Sequence, residues 1–225
     1  MADLEELGIS GIKGVIFDCY RTIIDIETDE DSIRTWEPLS NWLIYQGVKI
    51  TPEDLMKLYK RGTQEYINSR WETFPEVDVA EVFQNICKSH AYLKIDPEQL
   101  GKESARAFRS GSLRRLRPFP QSLSLLEKLE EYPKAIVSNG QRVFSELELM
   151  YFGLYDLFNV VIFSSDLGHK KPDPRLFLEA TRQLDMEPEE VLCIGDNFDN
   201  DIVPATKLGM KAMLIEEAWR LFKVG

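Results

Sequence analysis

The sequence predicts an α/β protein with a doubly wound parallel sheet, interrupted by an inserted helical domain. Four short runs rich in valine, isoleucine and other apolar residues end in polar residues, which is typical of buried parallel strands. From residue 121 onward, such runs alternate with segments of helical periodicity, as expected for a doubly wound sheet. A long stretch of helical patterning separates the first run from the others.

The first strand is expected at 14–17, and it leads directly to Asp18, Tyr20 and Thr22. Open α/β sheets bind ligands outside the carboxyl ends of their strands, so Asp18 lies where chemistry is expected. A carboxylate at this place must be solvated, paired or used, because the burial of an isolated charge is costly. For one strand considered alone, the capping of a turn by Asp18 is the simpler interpretation.

The inserted segment is expected to contain four helices, because its apolar residues recur at helical spacing. Thr51 precedes Pro52 in the arrangement typical of a helix N-terminus. We expect the helices at 32–47, 51–70, 79–90 and 96–108. The helical domain is expected to span 27–118, and the α/β domain to span 1–26 and 119–225.

The elements of the α/β domain are expected to alternate regularly after the Pro-Phe-Pro sequence at 118–120. They are a helix to 132, a strand at 134–138, a helix to 151, a strand at 159–164, a helix at 174–184, a strand at 191–195, a helix at 199–208, a strand at 212–216 and a short terminal helix.

Polar side chains with distinct chemistry follow the three later strands. They are Ser138 and Asn139 after the second strand, Lys170 and Lys171 after the third, and Asp196, Asn200 and Asp201 after the fourth. One such group at a strand end arises readily by chance. Four such strand ends together indicate a shared site. They carry, in chain order, a carboxylate, a hydroxyl with an amide, an ammonium group and an acidic cluster.

Composition excludes several classes of partner. The net charge of −11 argues against nucleic-acid binding, which requires a basic surface. No apolar run has the length of a membrane span, and the acidic N-terminus does not resemble a signal peptide. Three scattered cysteines fit neither a disulfide framework nor a zinc site. We therefore expect a cytoplasmic protein with no membrane or nucleic-acid partner, either a monomer or a homodimer.

These strand ends resemble the four motifs of the haloacid dehalogenase superfamily of hydrolases. The matching segments are 18–22, 138–140, 171–174 and 195–201, and together they extend over the whole α/β domain. The resemblance implies a Rossmann-like core and a helical cap that closes over the active site. It also implies a small anionic substrate.

The resemblance assigns roles to individual residues. Asp18 becomes the nucleophile that forms an ester with the substrate, and Thr22 orients it by hydrogen bonding. Lys171 supplies positive charge, with Lys170 as the alternative lysine. The substrate also receives hydrogen bonds from two further residues of the site, Ser138 and Asn139.

The acidic residues of the first and fourth motifs suit Mg²⁺, which prefers hard oxygen ligands. The expected ligands are Asp18, Asp196, either Asp201 or Asn200, and the backbone carbonyl of Tyr20. The acidic loop also has a structural interpretation as the N-terminal cap of the following helix.

Tyr20 departs from the phosphatases of the superfamily, which usually have a second aspartate at this position as general acid and base. A phenol, with a reference pKa of about 10, is a poor substitute at neutral pH. Haloacid dehalogenases have tyrosine here and expel halide, which needs no acid. In the cap, Arg61 or Lys60 faintly resembles their halide-binding arginine, although solvated helix charges are the simpler interpretation.

The fourth motif argues for the phosphatases, because dehalogenases use no metal and generally replace the aspartate at the position of Asp196. We therefore expect a Mg²⁺-dependent phosphatase of a small phosphorylated metabolite that works through an aspartyl ester. Two alternatives stay open: a metal-independent 2-haloacid dehalogenase, and a catalytically weakened binding or regulatory protein.

Overall fold

The computed structural model describes residues 4–5 and 7–224. Its strands are β1 (Gly14–Phe17), β2 (Ile24–Thr28), β3 (Leu113–Pro118), β4 (Lys134–Ser138), β5 (Val160–Phe163), β6 (Val191–Gly195) and β7 (Lys211–Leu214). Its α-helices are α1 (Ile33–Tyr45), α2 (Pro52–Asn68), α3 (Val79–His90), α4 (Pro97–Ser112), α5 (Pro120–Lys128), α6 (Arg142–Tyr151), α7 (Ser164–Leu167), α8 (Arg175–Leu184), α9 (Val203–Lys207) and α10 (Ile215–Leu221).

A five-stranded sheet in the order β5-β4-β1-β6-β7 forms the centre of the α/β part, and all its neighbouring strands are parallel. Residues that alternate along each strand face opposite sides, because side chains of a strand have a period of two. In β1, Val15 and Phe17 pack in one hydrophobic core and Ile16 packs in the other. Helices α5, α6 and α10 cover the first face, and α8 and α9 cover the second. The predicted doubly wound sheet is confirmed.

Helices α1 to α4 pack around a hydrophobic core of their own. Its centre is a cluster of aromatic rings, in which Trp36 lies 4.7 Å from Phe108 and Phe83 lies 5.0 Å from Tyr59, measured between ring centroids. The Thr51 hydroxyl accepts a hydrogen bond from Asp54 N at 3.2 Å, which confirms the predicted N-cap. We propose that this bundle is a separate cap domain, and its independent core supports the proposal.

The prediction of uninterrupted helical structure after Thr22 was wrong at both ends of the insert. There, β2 and β3 pair as an antiparallel ribbon that connects the bundle to the sheet. In β2, Ile24 and Ile26 contact the core of the α/β part, whereas Asp25 forms cross-strand ion pairs with Arg115 and Arg117. This alternation has the period of a strand, and it was visible in the sequence.

Two further boundaries differ from the sequence prediction. The helix expected at 199–208 begins as a π-helical turn at 198–202 and continues as α9. The last strand lies at 211–214 instead of 212–216. Within the described residues, no helix is long and apolar enough to span a bilayer.

Candidate active site

The strand ends of β1, β4 and β6 meet at the ammonium group of Lys171. Its Nζ lies 2.7 Å from Asp18 Oδ1 and 2.6 Å from Asp201 Oδ1, and it donates to the carbonyl of Val137 at 3.0 Å. All three charged side chains are buried. The convergence follows from the topology, because β1 lies between β4 and β6 and their carboxyl ends share one edge.

The Asp18 carboxylate is held by two donors. Thr22 Oγ1 donates to Asp18 Oδ2 at 3.0 Å, while Lys171 binds the other oxygen. Burial raises the pKa of Asp18, the Lys171 ammonium opposes this effect, and the negative charges of Asp201 and Asp196 add to it, so that the pKa is raised to about 6. For Lys171, burial lowers the pKa, but the adjacent Asp18 and Asp201 carboxylates outweigh burial and hold it above its ordinary value.

The structure distinguishes the two adjacent lysines, since Lys171 contacts Asp18 and the backbone N–H of Lys170 bonds to the carbonyl of Phe74. Asn139 fixes the position of Lys171. Its Oδ1 accepts from Lys171 N at 2.7 Å and its Nδ2 donates to Lys171 O at 3.2 Å. The amide expected to bind substrate therefore binds the loop that carries the lysine. Ser138 is buried at the end of β4.

Three carboxylates surround this one ammonium group. Oxygen atoms of Asp18, Asp196 and Asp201 lie within 4.8 Å of one another. Burial raises the pKa of Asp196, and the negative charge of Asp201 raises it further. With all three ionised, two negative charges are not compensated by Lys171. A compact set of hard oxygen donors with this residual charge fits a divalent cation such as Mg²⁺.

The loop after β6 places Asp201 through backbone contacts. Asn197 N donates to Asp201 Oδ2 at 3.0 Å, and Asn197 Oδ1 caps the following turn by accepting from Asn200 N at 2.9 Å. A Cβ atom on Gly195 would lie 2.4 Å from Asp201 Cγ, so this position requires glycine. Asn197, which the sequence interpretation did not single out, is the capping residue.

The Tyr20 side chain is directed towards α6. Its hydroxyl lies 2.5 Å from Glu148 Oε2 and 2.7 Å from Ser145 Oγ. Arg109 of α4 binds the same carboxylate through Nε, at 2.6 Å from Glu148 Oε1. Burial raises the pKa of Tyr20 well above its ordinary value, and the negative charge of Glu148 raises it further. Sequence reasoning missed Glu148. Its position on the buried face of α6, where a carboxylate needs a partner, was the signal that could have found it.

The two cap residues considered as anion ligands lie on the outer surface of α2. Arg61 is 67% exposed at its side chain and lies 3.6 Å from Glu65 Oε1. Lys60 pairs with the exposed Asp31 at 2.5 Å. The structure therefore does not bring either of them to the strand-end residues, and both make the contacts of solvated helix charges.

Arg21, three residues after Asp18, is exposed, and its backbone has a φ of 62°. This is the left-handed region, which glycine occupies at little cost and arginine does not. The positive charge of Arg21 acts on Asp196 and favours its ionised form. Within the described residues, no carboxylate lies at ion-pair distance from the guanidinium group.

A sequence profile of haloacid dehalogenase-like hydrolases matches residues 15–215. The chain belongs to this family. A curated relative, the glyceraldehyde 3-phosphate phosphatase of Methanothermobacter thermautotrophicus, is 36% identical over 206 residues, which are 91% of this chain and 85% of the relative. The similarity of this hydrolase to curated phosphatases favours the phosphatases of the family over its dehalogenases.

Solved structures of both kinds resemble this family member. A 2-haloacid dehalogenase from Pseudomonas syringae has a TM-score of 0.63 at 25% identity, and the match covers 89% of this chain and 85% of that one. A HAD phosphatase from Thermococcus onnurineus has a TM-score of 0.53 at 25% identity, with the same coverage. The Rossmann-like fold of the family is therefore confirmed.

Proposed function

We propose that the protein is a Mg²⁺-dependent phosphatase that transfers the phosphoryl group of a small metabolite to Asp18 and then to water. The observation that carries the proposal is the cluster of Asp18, Asp196 and Asp201 around Lys171, with oxygen atoms within 4.8 Å of one another. A dehalogenase has no use for this uncompensated negative charge. The phosphatase names of curated relatives support the same conclusion.

In the first step, an oxygen of Asp18 forms a bond to phosphorus, while the bond from phosphorus to the leaving group breaks. Thr22 and Lys171 fix the carboxylate in place, and Lys171 offsets part of the negative charge that meets the incoming phosphate. In the second step, water attacks the phosphorus atom and Asp18 departs as the carboxylate. The two steps divide one difficult displacement into two easier ones.

The residues that would hold Mg²⁺ are Asp18, Asp196 and Asp201, together with the backbone carbonyl of Tyr20. A bound Mg²⁺ would offset the residual negative charge of the site and stabilise charge on the transferring phosphoryl group. Asp18 and Asp201 are already held by Lys171, so the half-buried Asp196 is the ligand whose carboxylate is most accessible.

The proposal also includes a cytoplasmic location and a mobile cap. The cysteines Cys19, Cys87 and Cys193 are free and buried, which supports a reducing cytoplasm. The bundle of α1 to α4 would act as the cap, whose motion admits substrate and excludes water. Substrates of this kind of site are small phosphorylated molecules.

The experiment that tests the proposal compares phosphate release from p-nitrophenyl phosphate with Mg²⁺ and with a chelator, beside chloride release from 2-chloropropionate. Phosphate release that the chelator abolishes, and that Asp18→Asn also abolishes, is the expected result. Chloride release that resists the chelator would establish the dehalogenase alternative. If neither phosphate nor chloride is released, but phosphate still protects the protein against thermal unfolding, a binding role would be established.

A further inference from the structure

We propose that the substrate is an activated phosphate, an acyl phosphate or a phosphoanhydride, whose leaving group departs as a stable anion without a proton from the protein. This inference rests on the proposed function and narrows its substrate class. It excludes phosphate esters of simple alcohols as the preferred substrates. The observations that carry it concern the position two residues after the nucleophile.

The hydroxyl group of Tyr20 is fully engaged in a buried network. It has a single proton, which it donates to Glu148 Oε2 at 2.5 Å, and its oxygen accepts from Ser145 Oγ at 2.7 Å. Glu148 is in turn held by Arg109, whose Nε and Nη2 lie 2.6 Å and 3.1 Å from its two oxygens. The proton of Tyr20 therefore points to α6 and is bound by a carboxylate.

The ring of Tyr20 is fixed as well as its hydroxyl. The guanidinium group of Arg109 lies 5.2 Å from the ring centroid. On another side, a Cβ atom on Gly140 would lie 3.6 Å from Tyr20 Cε2, so the ring packs directly against this glycine. Rotation of Tyr20 towards the substrate would break its two hydrogen bonds, to Glu148 and to Ser145, which is unfavourable in a buried network. Tyr20 is thus a structural tyrosine.

The other ionisable groups near Asp18 are not placed to protonate the leaving group. Lys171 donates to Asp18, to Asp201 and to the carbonyl of Val137, so the three protons of its ammonium group are all engaged. Asp196 and Asp201 form the proposed cation site. The charged groups with the largest effect on Asp18 are these same three, Lys171, Asp201 and Asp196.

The nearby His169 belongs to a different environment. No described residue bonds to its buried Nε2, and the imidazole acts on the charges of Glu72 and Asp173. The backbone of His169 pairs with Pro75 of the helical insert. Neither contact directs the imidazole to the nucleophile, so His169 does not replace the missing acid.

A leaving group that needs no proton fits this site. A positioned general acid accelerates reactions about 10²–10⁴-fold, and the gain is largest when the leaving group is a strong base. An alkoxide is such a base, because an alcohol, like water, is a very weak acid. A carboxylate, with a pKa of about 4, departs unprotonated at neutral pH. A phosphate group, with a second pKa of about 6, behaves similarly.

The reaction balances without an acid from the protein. The bond from Asp18 to phosphorus forms as the bond to the leaving oxygen breaks, and that oxygen keeps the electron pair as an anion. Water then attacks phosphorus and Asp18 leaves as the carboxylate. One proton of the water stays on its oxygen, and the other passes to a phosphate oxygen of the product. The aspartyl phosphate is itself an activated phosphate, so its own leaving group needs no proton.

A matched pair of substrates tests the proposal. We would measure kcat/KM for acetyl phosphate and ethyl phosphate with Mg²⁺, and subtract the phosphate released in the presence of Asp18→Asn. The two substrates have similar size and differ in the basicity of the leaving group. Acetyl phosphate is expected to react at least about 10²-fold faster, and Tyr20→Phe is expected to keep this ratio, because its lost hydroxyl protonates nothing.

The outcomes separate this inference from the proposed function. A ratio below about 10², with both substrates hydrolysed in a chelator-sensitive manner, would overturn the inference and uphold the phosphatase. A selective loss of ethyl phosphate hydrolysis in Tyr20→Phe would also overturn it, because it would identify Tyr20 as the acid. Release of phosphate from neither substrate above the Asp18→Asn control would refute the proposed function itself.

Discussion

At the scale of single residues, the site depends on buried charges that Lys171 balances only in part, and on one backbone position under strain. Asp18 is buried with a raised pKa, and its carboxylate is stabilised by the Lys171 ammonium and the Thr22 hydroxyl. Arg21 follows closely, with a left-handed backbone that arginine rarely adopts. Backbone strain of this kind clusters at functional sites.

We expect Arg21→Gly to be more stable than Arg21→Gln by about 1 kcal/mol, because glycine adopts a φ of 62° without the steric cost of a Cβ atom. Both variants remove the positive charge, so their phosphatase activities are expected to fall alike. Urea unfolding of the two proteins gives the difference in stability. Equal stabilities would show that the turn at Arg21 is not strained.

Sequence reasoning identified most of this cluster, because strand ends of a parallel sheet converge by topology. It anticipated that Asp18, Lys171 and Asp196 meet together with either Asp201 or Asn200, and the distances place Lys171 and Asp201 in the cluster. It did not anticipate the partners of Tyr20, which come from residues more than a hundred positions away on α6. Such a contact depends on the rotation of a helix, and periodicity does not specify it.

At the scale of elements, one buried ion pair joins the helical insert to the α/β part. Arg109 of α4 and Glu148 of α6 are 12% and 10% exposed at their side chains, and Tyr20 shares the carboxylate. A buried ion pair contributes little compared with an apolar pair, but the loss of one partner leaves a buried charge. The contact therefore makes the position of α4 sensitive to a single substitution.

Arg109→Met is expected to lower the free energy of unfolding by about 3–5 kcal/mol, because Glu148 then stays buried without its cation. The double variant Arg109→Met, Glu148→Gln is expected to recover much of this loss, since no buried charge remains. Denaturant unfolding of the single and double variants measures both values. If the free energy of unfolding of Arg109→Met falls by less than about 1 kcal/mol, the pair behaves as an exposed ion pair and not as a buried one.

The ribbon of β2 and β3 shows where element prediction failed. Its strands are separated by the whole helical bundle, and each alone is a short alternating segment with many charges. Pairing of distant strands has no local signal, whereas the helices of the insert have periodicity and N-caps. The four helices were predicted within a few residues of their observed ends.

At the scale of the whole molecule, the sheet and the bundle have separate hydrophobic cores, and the charged site lies at the carboxyl ends of the central strands. Its residual negative charge opposes folding when no cation is present. Burial and the charge of Asp201 raise the pKa of Asp196, which means that its ionised form is disfavoured in the fold. If a divalent cation binds here as we propose, its binding is expected to favour the folded state.

We expect Mg²⁺ to stabilise the wild-type protein, by about 2.7 kcal/mol at a hundred times its Kd. Asp196→Asn is expected to be more stable than wild type without Mg²⁺, because one repelling charge is gone, and to lose most of the stabilisation by Mg²⁺. Thermal unfolding with Mg²⁺ and with a chelator tests this expectation independently of activity. An unchanged response of Asp196→Asn to Mg²⁺ would place the cation elsewhere.

If Asp18 carries the phosphoryl group during turnover, as we propose, acid quenching traps the phosphorylated protein and peptide mass spectrometry locates the group. With acetyl phosphate and Mg²⁺, we predict one added phosphoryl group on the peptide that contains Asp18, which is lost under mild base. The group is expected to be absent with a chelator and in Asp18→Asn. Sustained phosphate release by the Asp18→Asn protein, or a phosphoryl group on another residue, would show that Asp18 does not carry the phosphoryl group.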